Sequence, residues 1–175
     1  MEPTRPKGRG SLGGILSGHC SSVRLGGRFS GRECIKMLTY NAKETMLAGQ
    51  NLAKSLERRD VVALYGGLGS GKTIFTKGIG KGLGVKDVRC ITSPTFVIIK
   101  EYEARLPIYH LDLYRLDNLR GIEDIGVEEY IYGDGVTIIE WADKMQQILP
   151  ERHISVKIII KGGNKREIRI EDLRH

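Results

Sequence analysis

Residues 61 to 73 read Val61-Val62-Ala63-Leu64-Tyr65-Gly66-Gly67-Leu68-Gly69-Ser70-Gly71-Lys72-Thr73, an apolar run that breaks into glycines and ends on a lysine and a threonine. The last eight residues have the spacing G-x-x-x-x-G-K-[ST] of a phosphate-binding loop. Without a Cβ at 66, 67, 69 and 71, the backbone can turn successive N–H groups inward onto phosphate oxygens, with Leu68 and Ser70 contributing their amides as well. Lys72 can reach the β- and γ-phosphates, and the Thr73 hydroxyl can ligand Mg²⁺. A helix starting near Lys72 points the positive end of its dipole at the same anion. A glycine-rich surface turn is the plain alternative. The strand-like run before the loop and the helical run Thr73–Ile79 after it argue for the functional reading.

Outward from the loop, the chain alternates strand and helix signals. A short strand is expected near Ile35 to Thr39. Asn41-Ala42-Lys43-Glu44 has the form of a capping box, and Leu47, Leu52 and Leu56 with Ala48 and Ala53 mark a helix to about Arg58. Gly82-Leu83-Gly84 ends the helix that follows the loop. Thr95–Tyr102 and Leu106–Leu113 read as neighbouring antiparallel strands, because too few residues separate them for a crossover helix. A helical pattern covers residues 121 to 131, Val136–Ile139 is a buried strand ending at Glu140-Trp141, and Ala142 to Ile148 fits a short helix. His153–Ile160 and Arg166–Ile170 flank Gly162-Gly163-Asn164 as a β-hairpin. The expected fold is α/β: a P-loop NTPase-like three-layer sandwich with a mixed parallel/antiparallel sheet and a C-terminal β-hairpin.

The chain has 175 residues and a formal charge of +7, but the charge is unevenly placed. Residues 1 to 36 hold seven basic and two acidic side chains, a net of +5, so the rest carries only +2. The globular part, residues 37–175, is nearly balanced and gives little reason to expect direct binding of DNA or RNA. Residues 1–36 are rich in Gly, Ser and Arg and lack periodicity, so a disordered basic extension is expected there. Two origins fit it: an organellar presequence, or an upstream extension with Met37 as the working start. Cys20, Cys34 and Cys90 form neither a zinc pattern nor an even disulfide set, which points to a reducing, cytoplasmic setting. No apolar run approaches membrane-spanning length.

A phosphate loop binds without necessarily hydrolysing. Hydrolysis asks for carboxylates at the C-terminal ends of neighbouring strands. Asp112 ends the run Ile108-Tyr109-His110-Leu111, the position of a Walker-B-type aspartate, and Glu140 ends the run Val136–Ile139. Each could serve the metal or the attacking water; each could instead cap a turn or pair on the surface. Ser93-Pro94-Thr95-Phe96 either presents hydroxyls to the γ-phosphate or forms an ordinary strand entry. His110 is read as a packed core histidine, and Trp141 as core, stacking face or partner contact.

No D-x-x-G occurs, and Asn164-Lys165-Arg166-Glu167 is a poor match to a guanine-reading N-K-x-D, so adenine is favoured. The loop Gly66–Thr73, then Ser93-Pro94-Thr95-Phe96, His110-Leu111-Asp112-Leu113-Tyr114-Arg115, Glu140-Trp141 and Leu149-Pro150-Glu151 occur in the order and spacing of the TsaE family. Asp124-Ile125-Gly126-Val127-Glu128-Glu129-Tyr130 resembles that family's acidic helix. The resemblance covers about residues 38 to 170. It implies an ATPase of the bacterial machinery for N6-threonylcarbamoyladenosine at position 37 of tRNAs reading ANN codons, with TsaD and TsaB as partners and tRNA reached through them.

The resemblance also assigns residues. Lys72 and the loop amides would hold ATP, Thr73 with Glu140 would engage Mg²⁺, and Asp112 would support metal binding or hydrolysis. Thr95 would lie on the γ-phosphate side. The segment Asn41 to Thr45 would lie near the adenine, and Arg166 of the last hairpin near the nucleotide. One departure stands out: the family usually has Asp where this chain has Gly67. Two rival functions remain at this stage, a small-molecule kinase and a nucleotide-gated binding module with little hydrolysis.

Overall fold

An uninterrupted apolar strand suits burial between two helical layers, since both its faces must then avoid water. Val61–Tyr65 has this character; it forms β2, and its first four residues are buried. The computed structural model describes residues 34–93, 98–116 and 119–175, apart from the side chains of Leu119 and Glu123. The strands are β1 (Cys34–Thr39), β2, β3 (Ile99–Tyr102), β4 (Ile108–Asp112), β5 (Val136–Glu140), β6 (Ile154–Gly162) and β7 (Lys165–Asp172). They form one seven-stranded sheet in the order β1-β7-β6-β2-β5-β4-β3. β6, β2, β5 and β4 run parallel, while β7 pairs antiparallel with β6, β1 with β7, and β3 with β4. The sheet is mixed, as expected from the short link between the third and fourth runs.

Helices α1 (Ala42–Leu52) and α2 (Lys72–Leu83) cover one face. Phe75, Ile79 and Leu83 of α2 pack with Leu52 on Val62, Leu64, Ile138, Val156 and Ile168. Helices α3 (Leu119–Glu123) and α4 (Val127–Ile131) cover the other with a 3₁₀ turn, Ala142–Met145. There Ile122, Val127, Ile131 and Met145 pack on Val61, Ala63, Leu111 and Ile139. The result is the expected three-layer arrangement.

α1 and α2 lie unusually close. A Cβ on Gly49 would stand 2.2 Å from the Phe75 carbonyl oxygen, and one on Gly78 would stand 2.0 Å from that of Met46. Three glycines at 78, 80 and 82 weaken α2 as an isolated helix; here Gly78 and Gly82 let it approach the backbone of Met46 and Gln50, and Gly80 makes room for the Ile91 side chain.

Several element boundaries differ from the sequence expectation. α1 stops at Leu52 and tightens into the 3₁₀ turn Ala53–Ser55 instead of running to Arg58. The pattern over 121–131 is two short helices, because Gly126 sits at φ 68° between them. β3 begins at Ile99, and residues 95–97 of the expected run lie outside the described residues. The run from Ala142 is 3₁₀ and ends at Met145. The hairpin is present, with β6 and β7 joined through Gly163-Asn164, and Gly162 and Gly163 at positive φ. The expected disorder of residues 1–36 lies outside the described residues up to 33. Cys34 to Lys36 already belong to β1, so the ordered sheet starts ahead of Met37.

Candidate functional site

The loop leaves β2 at its C-terminal end and enters α2. Gly66, Gly69 and Gly71 adopt φ of 150°, 70° and 105°, the region that favours glycine. Gly66 is further confined: a Cβ there would meet the Ile158 carbonyl oxygen at 2.5 Å. Gly71 caps α2 and contributes no side-chain bond to its first turn. The leading N–H groups of a 12-residue helix are thus free of a side-chain cap, beneath a curl of loop amides. Such a concave, amide-lined helix start suits an anion. The Ser70 hydroxyl is buried with no partner.

Lys72 is buried, and its Nζ donates to the carbonyl oxygens of Gly66 at 2.7 Å and Gly67 at 3.1 Å. The same ammonium lies 3.7 Å from the centre of the Trp141 ring. Burial pulls its pKa down, and Glu140, Asp112 and Asp143 pull it back up in part.

Glu140, the last residue of β5, is 2% exposed. Its Oε2 accepts from the Thr73 hydroxyl at 3.0 Å, and its Oε1 faces Thr76 Oγ1 at 3.3 Å and His110 Nε2 at 3.0 Å. A carboxylate with this many donors is held in one orientation. Asp112 stands beside it, since Asp112 of β4 pairs in register with Glu140 of β5. Asp112 Oδ1 accepts from the Tyr114 amide at 3.0 Å, and Oδ2 accepts from the Ser93 hydroxyl. The fold therefore brings Lys72, Thr73, Asp112 and Glu140 to one end of the parallel strands.

The donor set also bears on Mg²⁺. Among the described residues no group of three or more His, Cys, Asp or Glu side chains is placed to hold a metal ion. Thr73 Oγ1 and the two strand-end carboxylates are hard oxygen donors on one side only. That fits a cation that shares its shell with phosphate oxygens and water rather than one caged by protein.

The remaining expected residues fall in different places. Asn41 caps α1: its Oδ1 accepts from the Glu44 amide at 2.9 Å, and Glu44 Oε2 accepts from the Tyr40 amide at 2.8 Å. Thr45 is buried, shares a 2.9 Å bond with the Thr39 hydroxyl and lies beside Gly71. Arg166 reaches the loop from β7 and bonds its main-chain carbonyls. Leu68 is 74% exposed at the loop tip. Thr95 lies outside the described residues.

Two residues at the site carried no role in the sequence reading. His110 suits a core position by its sequence and is fully buried, yet it contacts Glu140. Thr76 does the same from α2. Both had a signal: His110 precedes Asp112 by two in a strand, and Thr76 follows Thr73 by three in a helix, so each shares a face with its functional neighbour. A groove of about 1280 Å³ opens at the opposite end of the sheet, among Asp60, Val61, Arg152 and Arg174. It lies at the start of β2, a strand's length from the glycine loop, and none of Lys72, Thr73, Asp112 and Glu140 lines it.

The family described as "Threonylcarbamoyl adenosine biosynthesis protein TsaE" matches residues 39–168. The tRNA threonylcarbamoyladenosine biosynthesis protein TsaE of Bacillus subtilis is 42% identical over 135 residues, 77% of this chain and 83% of that protein. Its counterpart from Treponema pallidum is 38% identical over 136 residues, 78% of this chain and 99% of that protein. The crystal structure of YdiB from Bacillus subtilis superposes with a TM-score of 0.67 at 36% identity, covering 83% of this chain and 89% of that one.

Proposed function

Because the chain belongs to the TsaE family, we propose that it is the ATP-binding and ATP-hydrolysing subunit for N6-threonylcarbamoyladenosine formation at adenosine 37 of tRNAs reading ANN codons. It acts in the cytoplasm with TsaD and TsaB, and hydrolysis resets that complex between cycles. The observation that carries the reading is the meeting of Thr73 and Glu140 at 3.0 Å across the mouth of the phosphate loop. A loop that only binds phosphate has no need of a buried carboxylate fixed against its threonine.

In this reading the amides of residues 66–71 and the start of α2 grip the triphosphate. Lys72 exchanges the Gly66 and Gly67 carbonyls for β- and γ-phosphate oxygens, a short swing for a flexible side chain. Thr73, with Glu140 and Asp112 behind it, would hold Mg²⁺, which when bound neutralises charge developing on the phosphates. Glu140 and Asp112 are the acceptors available to orient water. The Ser93–Asp112 contact joins Ser93 to the same carboxylate, so ATP binding at Asp112 would be felt at Ser93. The transferase chemistry belongs to TsaD, and tRNA is met through the partners.

A pull-down with TsaB and TsaD, with and without ATP, followed by ATPase measurement, tests this. Nucleotide-dependent capture and stimulated turnover support it. Absence of magnesium-dependent ATP affinity would overturn it, partners included. A small-molecule kinase would transfer labelled phosphate to a metabolite without either partner. A binding module with little hydrolysis is favoured by one observation, the missing side chain at Gly67, and stimulation by the partners separates the two.

A further inference from the structure

One face of the sheet is only partly roofed. α3, α4 and the 3₁₀ turn Ala142–Met145 pack on β2, β4 and β5, and among the described residues none from β1, β6 or β7 joins that core. The apolar positions of those three strands, Ile35, Met37, Val156, Ile158, Ile168 and Ile170, pack on the α1–α2 side instead. By alternation the remaining positions form an open face three strands wide. Register sets Lys36, Arg169 and Lys157 in one row across it, and Leu38, Glu167 and Ile159 in the next.

Charge is sorted onto this face. Residues 37–175 carry a net of only +2, yet three cations here converge on a single acid. Glu167 is 4% exposed, with Arg169 Nη2 at 2.6 Å, Lys36 Nζ at 3.5 Å and Lys161 Nζ at 3.7 Å from its carboxylate. One carboxylate cannot neutralise three cations. Lys157 is exposed beside them and has no ion-pair partner among the described residues. Lys165 lies on the same face over the Tyr40 ring, and Glu171 stands at the far edge, opposite Cys34.

We propose that this open face makes a direct contact with the phosphate backbone of RNA. RNA is favoured over an acidic protein by where the charge sits. β7 is the middle strand, and its outward positions are Lys165, Glu167, Arg169 and Glu171, so charge runs through the centre. Protein–protein interfaces are depleted of charge at their centre and of lysine throughout. A phosphate backbone is met by cations spread over an open surface. Strand spacing puts the backbones of Lys36 and Lys157 about 10 Å apart, and Lys161 lies about 13 Å further along β6, enough to follow one RNA strand over several phosphates. The inference goes beyond the proposed function, in which TsaD and TsaB bring the tRNA, and rests on it only for the choice of RNA. Once delivered, the tRNA is also held here.

The test uses the full-length chain, an unmodified transcript of a tRNA reading an ANN codon, and fluorescence anisotropy over a salt series. The basic residues ahead of Cys34 are common to every variant and drop out of the differences. Lys36→Ala with Lys157→Ala should weaken tRNA about tenfold or more at roughly 0.1 M salt, and lower the slope of log K against log salt by about 1 per lysine. Lys36→Glu with Lys157→Glu should weaken it further. Lys54→Ala with Lys86→Ala removes two exposed lysines elsewhere and should leave tRNA affinity unchanged. Parent-like affinity and slope in the Lys36 and Lys157 pairs overturns the proposal. An equal loss in the Lys54 and Lys86 pair overturns it too, because overall charge alone would then decide. So does displacement of tRNA by polyglutamate at equal charge concentration, which would point to an acidic protein. If the pairs fail to fold, the same readings on Lys157→Ala, whose side chain has no partner to lose, decide. ATP affinity is measured on the same samples. Normal ATP binding with no effect on tRNA sinks this face alone, whereas the tRNA effect in a chain that does not bind ATP sinks the nucleotide site and leaves the face standing.

Discussion

The Thr73 hydroxyl donates to Glu140 Oε2 at 3.0 Å although 67 residues separate them. The contact follows from strand pairing. β2 and β5 are parallel neighbours with Leu64 opposite Glu140, so both end at the same level and the loop leaving one passes the carboxylate ending the other. His110 and Thr76 then fix Glu140 from a third strand and from α2.

Glu140→Ala should bind ATP and turn it over roughly 10²–10⁴-fold more slowly, the range for removing a group that handles the reacting water or its proton. Lys72→Ala should fail at the earlier step and lose ATP binding. Equilibrium binding of labelled ATP beside phosphate release separates the two. Normal hydrolysis by Glu140→Ala would remove that carboxylate from the mechanism.

Gly67→Asp should fold as well as the parent. Gly67 lies outside the positive-φ set, and a Cβ there meets nothing within 4 Å. The melting temperature should reflect a change within about 0.5 kcal/mol, as for an unconstrained surface site. Phosphate release should rise, since a carboxylate is returned beside the carbonyl that Lys72 now occupies. A fall in turnover would show that Gly67 is needed as it stands.

Trp141 is the single tryptophan and lies under the Lys72 ammonium. Adding ATP should move the ammonium to phosphate and change indole emission, with Lys72→Met giving no such response. Identical titrations for parent and Lys72→Met would show that the lysine stays where it is.

Gly78→Ala tests the contact between α1 and α2. Helix propensity alone would favour alanine by about 1 kcal/mol. The Cβ would, however, stand 2.0 Å from the Met46 carbonyl oxygen, which is backbone and cannot swing aside. Overpacking of this kind costs about 1–3 kcal/mol, so denaturant unfolding should show net destabilisation. Gly67→Ala, in open space, is the control.

Arg174 joins the end of the chain to the start of β2, with Asp60 Oδ2 and Asp172 Oδ2 each 2.6 Å from its guanidinium. Removing it leaves two nearly buried carboxylates, and Arg174→Ala should cost on the order of 3 kcal/mol at neutral pH. Burial pushes Asp172 up, but the Arg174 bonds outweigh burial and hold it below its ordinary value. Its stabilisation is therefore present above the ordinary carboxylate range and lost as pH falls through the depressed value. Burial wins at Asp60, which is raised despite Arg174, so that group costs stability as it ionises. Without Arg174 both carboxylates lose the charge that favours ionisation and cost more to ionise, so the gap between parent and Arg174→Ala is widest near neutrality and narrower below about pH 4, the ordinary aspartate value. A gap of constant size across that range would contradict the pairing.

Much of this was legible along the chain because it depends on neighbours in sequence. Val61–Tyr65 reads as a buried strand from its composition. The glycine loop declares itself by spacing, and Asn41 and Glu44 cap α1 by a rule that spans four residues. Asp112 and Glu140 stood out because each ends an apolar run, and strand ends in a parallel sheet share one edge. Boundaries were harder. The pattern over 121–131 satisfies a helical period throughout, and only the left-handed turn at Gly126 splits it.

By itself, then, the order of residues determined a glycine-rich loop with the spacing of a phosphate-binding loop, set between a buried strand and a helix and flanked by strands that end in acids. Tertiary structure alone decided that Glu140 takes hydroxyls from Thr73 and Thr76 and a ring nitrogen from His110, that Lys72 rests on Trp141, and that Arg166 grips the loop from the hairpin. The physical reason is range. Local propensity and period act over a few residues, whereas these contacts depend on which strands lie side by side and in what register. Register is set by burying both faces of the sheet at once, a condition that no single stretch of the chain contains.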